Sequence, residues 1–192
     1  HDGTFQLSGP ILKDKLWFFA SNQYQSDAKL PAGVDPRFFT DEKAQRVFGK
    51  LNWQISPKHK LALGYHNDYY DLPSTPNASS APSTVNVNHG QTPTPNLQST
   101  GVLSSKTVLE ARVAGFFGDD HSDPIIKSEA RTQPQIFDRD TGQITGGIYS
   151  WYDDKAYQAT ASVKLTHFSD NFLGSSHDFK FGVQYVNGGV RD

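Results

Sequence analysis

The chain has 192 residues, 35% of them hydrophobic, with a formal net charge of −2 and a mean hydropathy of −0.59. That charge offers no basic field to a nucleic-acid partner, and the absence of cysteine excludes a disulfide framework and thiolate metal sites. No apolar run approaches the ~20 residues of a membrane-spanning helix, but this leaves membrane strands open, because in those only alternate residues meet lipid.

In chain order, His1-Asp2-Gly3-Thr4-Phe5 already reads as strand rather than as a signal peptide, and methionine is absent throughout. The chain is therefore expected to be a piece of something longer. A first strand over Thr4 to Leu12 sets Phe5, Leu7 and Ile11 against Thr4, Gln6 and Ser8. Lys13-Asp14-Lys15 is a tight turn into Leu16 to Gln25, whose start is aromatic (Trp17, Phe18, Phe19). A long loop, Ser26 to Gln45, leads to the clearest hairpin. In its first arm, Arg46 to Ser56, residues Val47, Gly49, Leu51, Trp53 and Ile55 alternate with Phe48, Lys50, Asn52 and Gln54. After Ser56-Pro57-Lys58-His59, the second arm, Lys60 to Tyr70, resumes the alternation with Leu61, Leu63 and Tyr65. Period two on both sides of a tight break is a β-hairpin with one oily face.

A second long loop, Asp71 to Asn96, is rich in Pro, Ser, Thr and Asn from Ser74 onward. Strands over Leu97 to Leu103 and Val108 to Phe117 flank the tight turn Ser104-Ser105-Lys106; the latter sets Leu109, Ala111, Val113 and Phe117 against Glu110 and Arg112. The third and longest loop runs from Gly118 to Ala156. Tyr157 to Phe168 then sets Ala159, Ala161, Val163 and Leu165 against Gln158, Thr160, Ser162 and Lys164. A compact connection, Ser169 to His177, precedes Asp178 to Asn187, where Phe179, Phe181, Val183 and Tyr185 oppose Asp178, Lys180 and Gln184.

Short and long connections alternate from one end of the chain to the other. In an up-and-down antiparallel sheet this places every tight turn at one edge and every long loop at the opposite edge. Outer-membrane barrels are built so, with short periplasmic turns and long extracellular loops, whereas Greek-key sandwiches mix their connections. Lys50, Asn52, Gln54, His66, Asp68, Glu110, Arg112, Lys164, Lys180 and Gln184 would all share the face opposite the oily one. That face must be wet: the lumen of a barrel, or the solvated side of an ordinary sheet. Aromatics near strand ends (Trp17, Phe18, Trp53, Tyr65, Tyr69, Tyr70, Phe116, Phe117 and Tyr185) suit interfacial girdles and favour lipid. The expected fold is all-β: about eight antiparallel up-and-down strands, over residues 1–192, of a larger transmembrane barrel.

The long loops hold the candidate sites. Asp119, Asp120, His121 and Asp123 are the densest set of potential metal ligands, with a solvated acidic loop as the competing reading. Asp138-Arg139-Asp140-Thr141-Gly142 echoes a calcium loop but lacks its third acidic position and distal Glu, so a β-turn is expected. Tyr149, Trp151, Tyr152 and Asp153 combine aromatic area with polar neighbours, as ligand-gripping loops do, and are the candidate solute contacts; the competing reading is an extracellular continuation of the hairpin packed on itself. No His-Glu-x-x-His, Gly-x-Ser-x-Gly or phosphate-binding glycine loop is present, so neither an enzyme nor a cofactor is expected.

The stretch Ser8-Gly9-Pro10-Ile11-Leu12-Lys13-Asp14-Lys15-Leu16-Trp17-Phe18-Phe19 resembles the early barrel of Oar-like TonB-dependent receptors. Phe48-Gly49-Lys50-Leu51-Asn52-Trp53 with its Ser-Pro-Lys-His turn is similar to the next hairpin of that family. Ser176-His177-Asp178-Phe179-Lys180-Phe181-Gly182-Val183 is similar to a further strand. Ser8 stands where the family usually has Gly, and Ala20 follows the aromatics where Gly is common. The resemblance implies an outer-membrane barrel of about 22 strands around a plug, energised by TonB through that plug. It also implies active uptake of a small solute of the siderophore, oligosaccharide or peptide class, with outer-membrane lipid as the surrounding partner. The alternatives are a passive porin or adhesion-type barrel, and a secreted glycan-binding β-sandwich.

Overall fold

The computed structural model describes residues 1–30, 32–36, 39–74, 76–126 and 132–191. Residues 31, 37–38, 75 and 127–131 of the predicted loops, and residue 192, lie outside these. Eleven strands occur among the described residues. They are β1 (Asp2–Leu12), β2 (Leu16–Lys29), β3 (Thr40–Ser56), β4 (His59–Pro73), β5 (Asn86–Gln91), β6 (Thr94–Ser104), β7 (Thr107–Pro124), β8 (Gln135–Phe137), β9 (Ile144–Gly146), β10 (Tyr152–Phe172) and β11 (Ser175–Arg191). Apart from the small β8–β9 hairpin they form one antiparallel sheet, in which each strand lies beside its neighbours in sequence.

All eight predicted strands are present. β5 and β6 share one position in the sheet, between β4 and β7: residues 86–91 fill its loop-side half and 94–101 its turn-side half. The interruption falls at Thr92-Pro93, because Pro93 has no N–H for the ladder. Asn67, 1% exposed, repairs it: its Oδ1 accepts from the Thr92 N–H at 3.0 Å and its Nδ2 donates to Gln91 Oε1 at 3.4 Å.

Register fixes the faces. Gly9, Phe18, Leu51, Leu63, Leu97, Val113, Ala161 and Tyr185 form one transverse row across the sheet. Trp53, Leu61, Ser99, Ala111, Val163 and Val183 form the row beside it, on the same face. The opposite face carries Asn52, Lys50, His66, Asp68, Gln98, Arg112, Glu110, Lys164, Lys180 and Gln184, as the alternation predicts. Polar pairs line it: Lys164–Glu110 at 3.1 Å and Arg112 Nε donating to Asn96 Oδ1 at 2.9 Å across strands, and His66–Asp68 at 3.1 Å along β4. All are solvent-accessible, so each adds little stability and mainly marks a wet surface.

Among the described residues, no second layer covers the apolar face. Val113 is 57% exposed, Phe181 63% and Val183 73%. Among the described residues, Ile148 is the one buried hydrophobic side chain, and it lies outside the sheet. A water-soluble domain of this size would bury these side chains against another layer, since that burial is the main drive to fold. Here the belt faces outward across the sheet's width. On β7 it runs through residues 109–117 and on β10 through 157–165, the ~9–11 residues that a tilted membrane strand needs.

The strands exceed that length, and the excess corrects the expected loops. β10 has 21 residues and β7 has 18. Strand structure extends four residues past Gln25, where the second predicted strand ends, and occupies 40–45, 71–73, 118–124 and 152–156, all assigned to loops from sequence. Segment 86–91 and the β8–β9 hairpin also turn expected loop into strand. The predicted connection Ser169 to His177 contracts to Leu173-Gly174, both at positive φ (53° and 85°), the geometry of a two-residue hairpin turn. The aromatic set divides too. Phe18, Trp53, Tyr65, Tyr69, Phe117 and Tyr185 lie on the apolar face, but Trp17, Tyr70 and Phe116 fall on the polar one, where they cannot belong to a lipid girdle.

Candidate functional site

Beyond the belt, the apolar face changes character strand by strand. After Tyr24, β2 reaches Ser26; after Tyr69, β4 reaches Asp71; after Phe117, β7 reaches Asp119, His121 and Asp123; after Tyr157, β10 reaches Lys155 and Asp153. Tyr and Phe mark the border between apolar and charged rows, the position amphipathic rings take at a lipid–water boundary. Above them Lys43, Asp71, His89, His121 and Asp153 fall in one transverse row. An open groove of about 460 Å³ runs along this rim, lined by Tyr24, Tyr69, Asp71, His89, Asp119 and His121 among others.

The metal candidates lie on strand β7, not in a loop, so they alternate between faces. Asp119, His121 and Asp123 share the groove side and Asp120 points the other way. His121 is held between two carboxylates, Nε2 at 3.0 Å from Asp119 Oδ1 and Nδ1 at 3.2 Å from Asp153 Oδ1. The His89 ring stacks on it with centroids 5.2 Å apart and planes at 19°, and His89 Nε2 lies 3.8 Å from Asp123 Oδ2. Two of the predicted acids therefore join His121, and two residues from other parts of the chain, His89 and Asp153, complete the group.

Asp120 takes part in a different arrangement on the polar face. Its carboxylate accepts from Tyr70 Oη at 2.8 Å and from Tyr152 Oη at 3.2 Å. Burial, then the hydrogen bond to Asp120, pushes the Tyr70 hydroxyl far above the usual phenol range; burial and the Asp120 charge raise Tyr152 more modestly. Both phenols thus stay neutral donors to a charged acceptor. This ties β4, β7 and β10 together at the rim.

The aromatic candidates separate. Tyr152 and Asp153 begin β10, and Tyr152 is engaged with Asp120, so it braces the rim rather than presenting a free ring. Tyr149 is 88% exposed and Trp151 56%. Behind them the segments 79–83 and 144–146 are stitched together: Ile144 N–H donates to the Ser79 carbonyl at 2.7 Å and Ser83 Oγ to the Gly146 carbonyl at 2.6 Å. Asp138 behaves as the β-turn expectation requires. Its Oδ1 accepts from the N–H groups of Asp140 (2.9 Å) and Thr141 (3.1 Å), which hold its carboxyl below the usual range.

His89 is the member of this cluster that the sequence conceals. It lies in a Pro-, Ser- and Asn-rich stretch with no periodic signal, and only the β5 pairing places it beside His121.

No protein-family model matches this chain, and no curated protein does. Among solved structures, the chain is similar to the outer membrane transporter YddB from Escherichia coli, with a TM-score of 0.71 at 12% identity. The match covers 97% of this chain and 25% of that one. The chain is thus an all-β antiparallel sheet of long strands that matches a segment of an outer-membrane barrel, and it spans about a quarter of the length of the transporter it resembles.

Proposed function

We propose that this chain is part of the wall and outer rim of a TonB-dependent transporter of the bacterial outer membrane, which takes up a small solute of the siderophore, oligosaccharide or peptide class. The observation that carries this reading is the uncovered apolar belt, of membrane-strand length, backed by a polar face and crowned by charged strand extensions on the long-loop side. Lipid covers such a belt, and water fills the space behind it. The likeness to a segment of a transporter barrel supports the same reading, as do the family-like stretches at residues 8–19, 48–53 and 176–183.

Mechanistically the chain does no bond chemistry. Tyr149 and Trp151 offer exposed aromatic area at the loop edge for a solute's apolar or sugar faces, and the Tyr70–Asp120–Tyr152 bracing keeps the strands beneath them rigid. A plug outside this chain would close the lumen and be drawn open by TonB. The test is uptake of a panel of labelled siderophores, oligosaccharides and peptides by cells carrying the full-length protein, with and without TonB. TonB-dependent accumulation of one class is expected. Uptake indifferent to TonB would replace this reading with a passive porin, and no uptake of any class would leave an adhesion-type barrel.

A further inference from the structure

We propose that Asp119, His121 and Asp153 form a binding site for a borderline divalent cation of the zinc class, on the groove side of the rim. One ligand atom from each of the three lies within 4.8 Å of the others. The separation of His121 Nε2 and Asp119 Oδ1, 3.0 Å, is close to the ~3.3 Å edge of a tetrahedron with ~2.0 Å bonds. Two ligands come from β7 and one from β10, whose pairing places Asp153 directly across from His121.

Three further observations point to a cation rather than to an ordinary polar surface. First, carboxylates from two strands converge on one imidazole: Asp119 Oδ1 lies 3.0 Å from His121 Nε2, and Asp153 Oδ1 lies 3.2 Å from its Nδ1. Second, Asp119 Oδ1 is closed off from solvent yet accepts no hydrogen bond; the Lys155 ammonium stands 4.0 Å away, at the limit of an ion pair. Third, the His89 imidazole lies flat against the His121 ring, fixing its plane and setting a second nitrogen donor next to the site. Mixed imidazole and carboxylate donors select zinc-class metals over calcium or magnesium, which take oxygen ligands alone. The site is on the same face as the belt, so it lies outside the lumen and is separate from any solute path. A metal there would clamp β7 to β10 above the lipid.

The experiment is zinc titration by calorimetry, with cobalt absorption as a coordination probe, on the full-length protein in detergent. Wild type, His121→Ala and Asp119→Asn are compared, with proper folding of each checked by resistance to heat unfolding in gels. The variants are expected to bind one zinc fewer than wild type, or to hold it more than 100-fold more weakly, and to lose the cobalt d–d bands. Zinc should also raise the wild-type unfolding temperature and not that of His121→Ala. Equal zinc stoichiometry and affinity in all three proteins would overturn the site. Preference for calcium over zinc at this site would overturn the assigned class.

Discussion

One face of one strand holds two regions that obey opposite rules. On β7, Val113 and Phe117 are apolar and exposed; a few residues on, Asp119, His121 and Asp123 are polar and partly shielded. β10 repeats the change from Val163 and Tyr157 to Lys155 and Asp153. Backbone geometry is continuous through both regions, and the membrane reading proposed above accounts for the difference by the solvent each would meet. Lipid would demand apolar side chains on one face in two, and above it both faces would meet water and neither would have to alternate.

The strongest way to break this comparison is to place a charge in each region. Arginine at Val113 or Phe181, mid-belt, should cost about 2–4 kcal/mol in the folded barrel. At Ala28, exposed on the same face but in the rim, or at Thr160 on the polar face, it should change stability by no more than about 0.5 kcal/mol. Denaturant titration of the full-length barrel in lipid vesicles would compare them, and equal costs at Val113 and Ala28 would erase the distinction.

At the border between the regions, Asn67 carries the strand interruption. Asn67→Leu keeps bulk but removes one of the two acceptors of the Thr92 N–H, leaving the Asp68 carbonyl at 3.1 Å, and the donor to Gln91; it should cost about 1–3 kcal/mol because the site is closed to water. The same titration measures it, and faster amide exchange at Thr92 should accompany the loss.

The rim's own role is sharpened by trimming it. Replacing residues 126–150 with a short Gly-Ser linker leaves every strand of the main sheet in place, so assembly should survive. Binding of the transported solute should weaken more than tenfold, about 1.4 kcal/mol or more. Unchanged binding in a folded variant would assign recognition to other loops.

This comparison also explains what the sequence could show. The eight main strands and both faces are readable because one apolar and one polar face impose period two, as in Val47 to Ile55 and Phe179 to Tyr185. The strand extensions and β5 were not readable, because Asp27, Glu42, His89 and Asp154 lie where both faces are wet and carry no alternation. The candidate site was half legible for the same reason. Asp119, His121 and Asp153 stand out by type, but only strand register brings Asp153 and His89 to His121. Tyr152 begins β10, the hairpin continuation that the sequence leaves open beside a loop, and only register shows its bond to Asp120 across the sheet.

The smallest expected effect concerns the Asp138 turn. Its carboxyl is held below the usual range by the Asp140 and Thr141 N–H groups, so the folded state favours the charged form. The turn's stabilisation is complete above the unfolded carboxyl value of about 3.9 and is lost as pH falls through the lower folded value. Amide exchange at Gly142, corrected for its intrinsic pH dependence, should rise over that window and lose the rise in Asp138→Ala.

Spin-label accessibility in the full-length protein in lipid vesicles tests the central claim most directly. Labels at Leu51, Leu63 and Val163 should be reached by oxygen and not by a water-soluble nickel chelate. Labels at Asn52 and Thr160, on the opposite face, and at Asp71, on the same face in the rim, should be reached by the chelate. Chelate access at Leu51, Leu63 and Val163 equal to that at Asp71 would mean that water covers the belt, and the chain would not be a membrane wall.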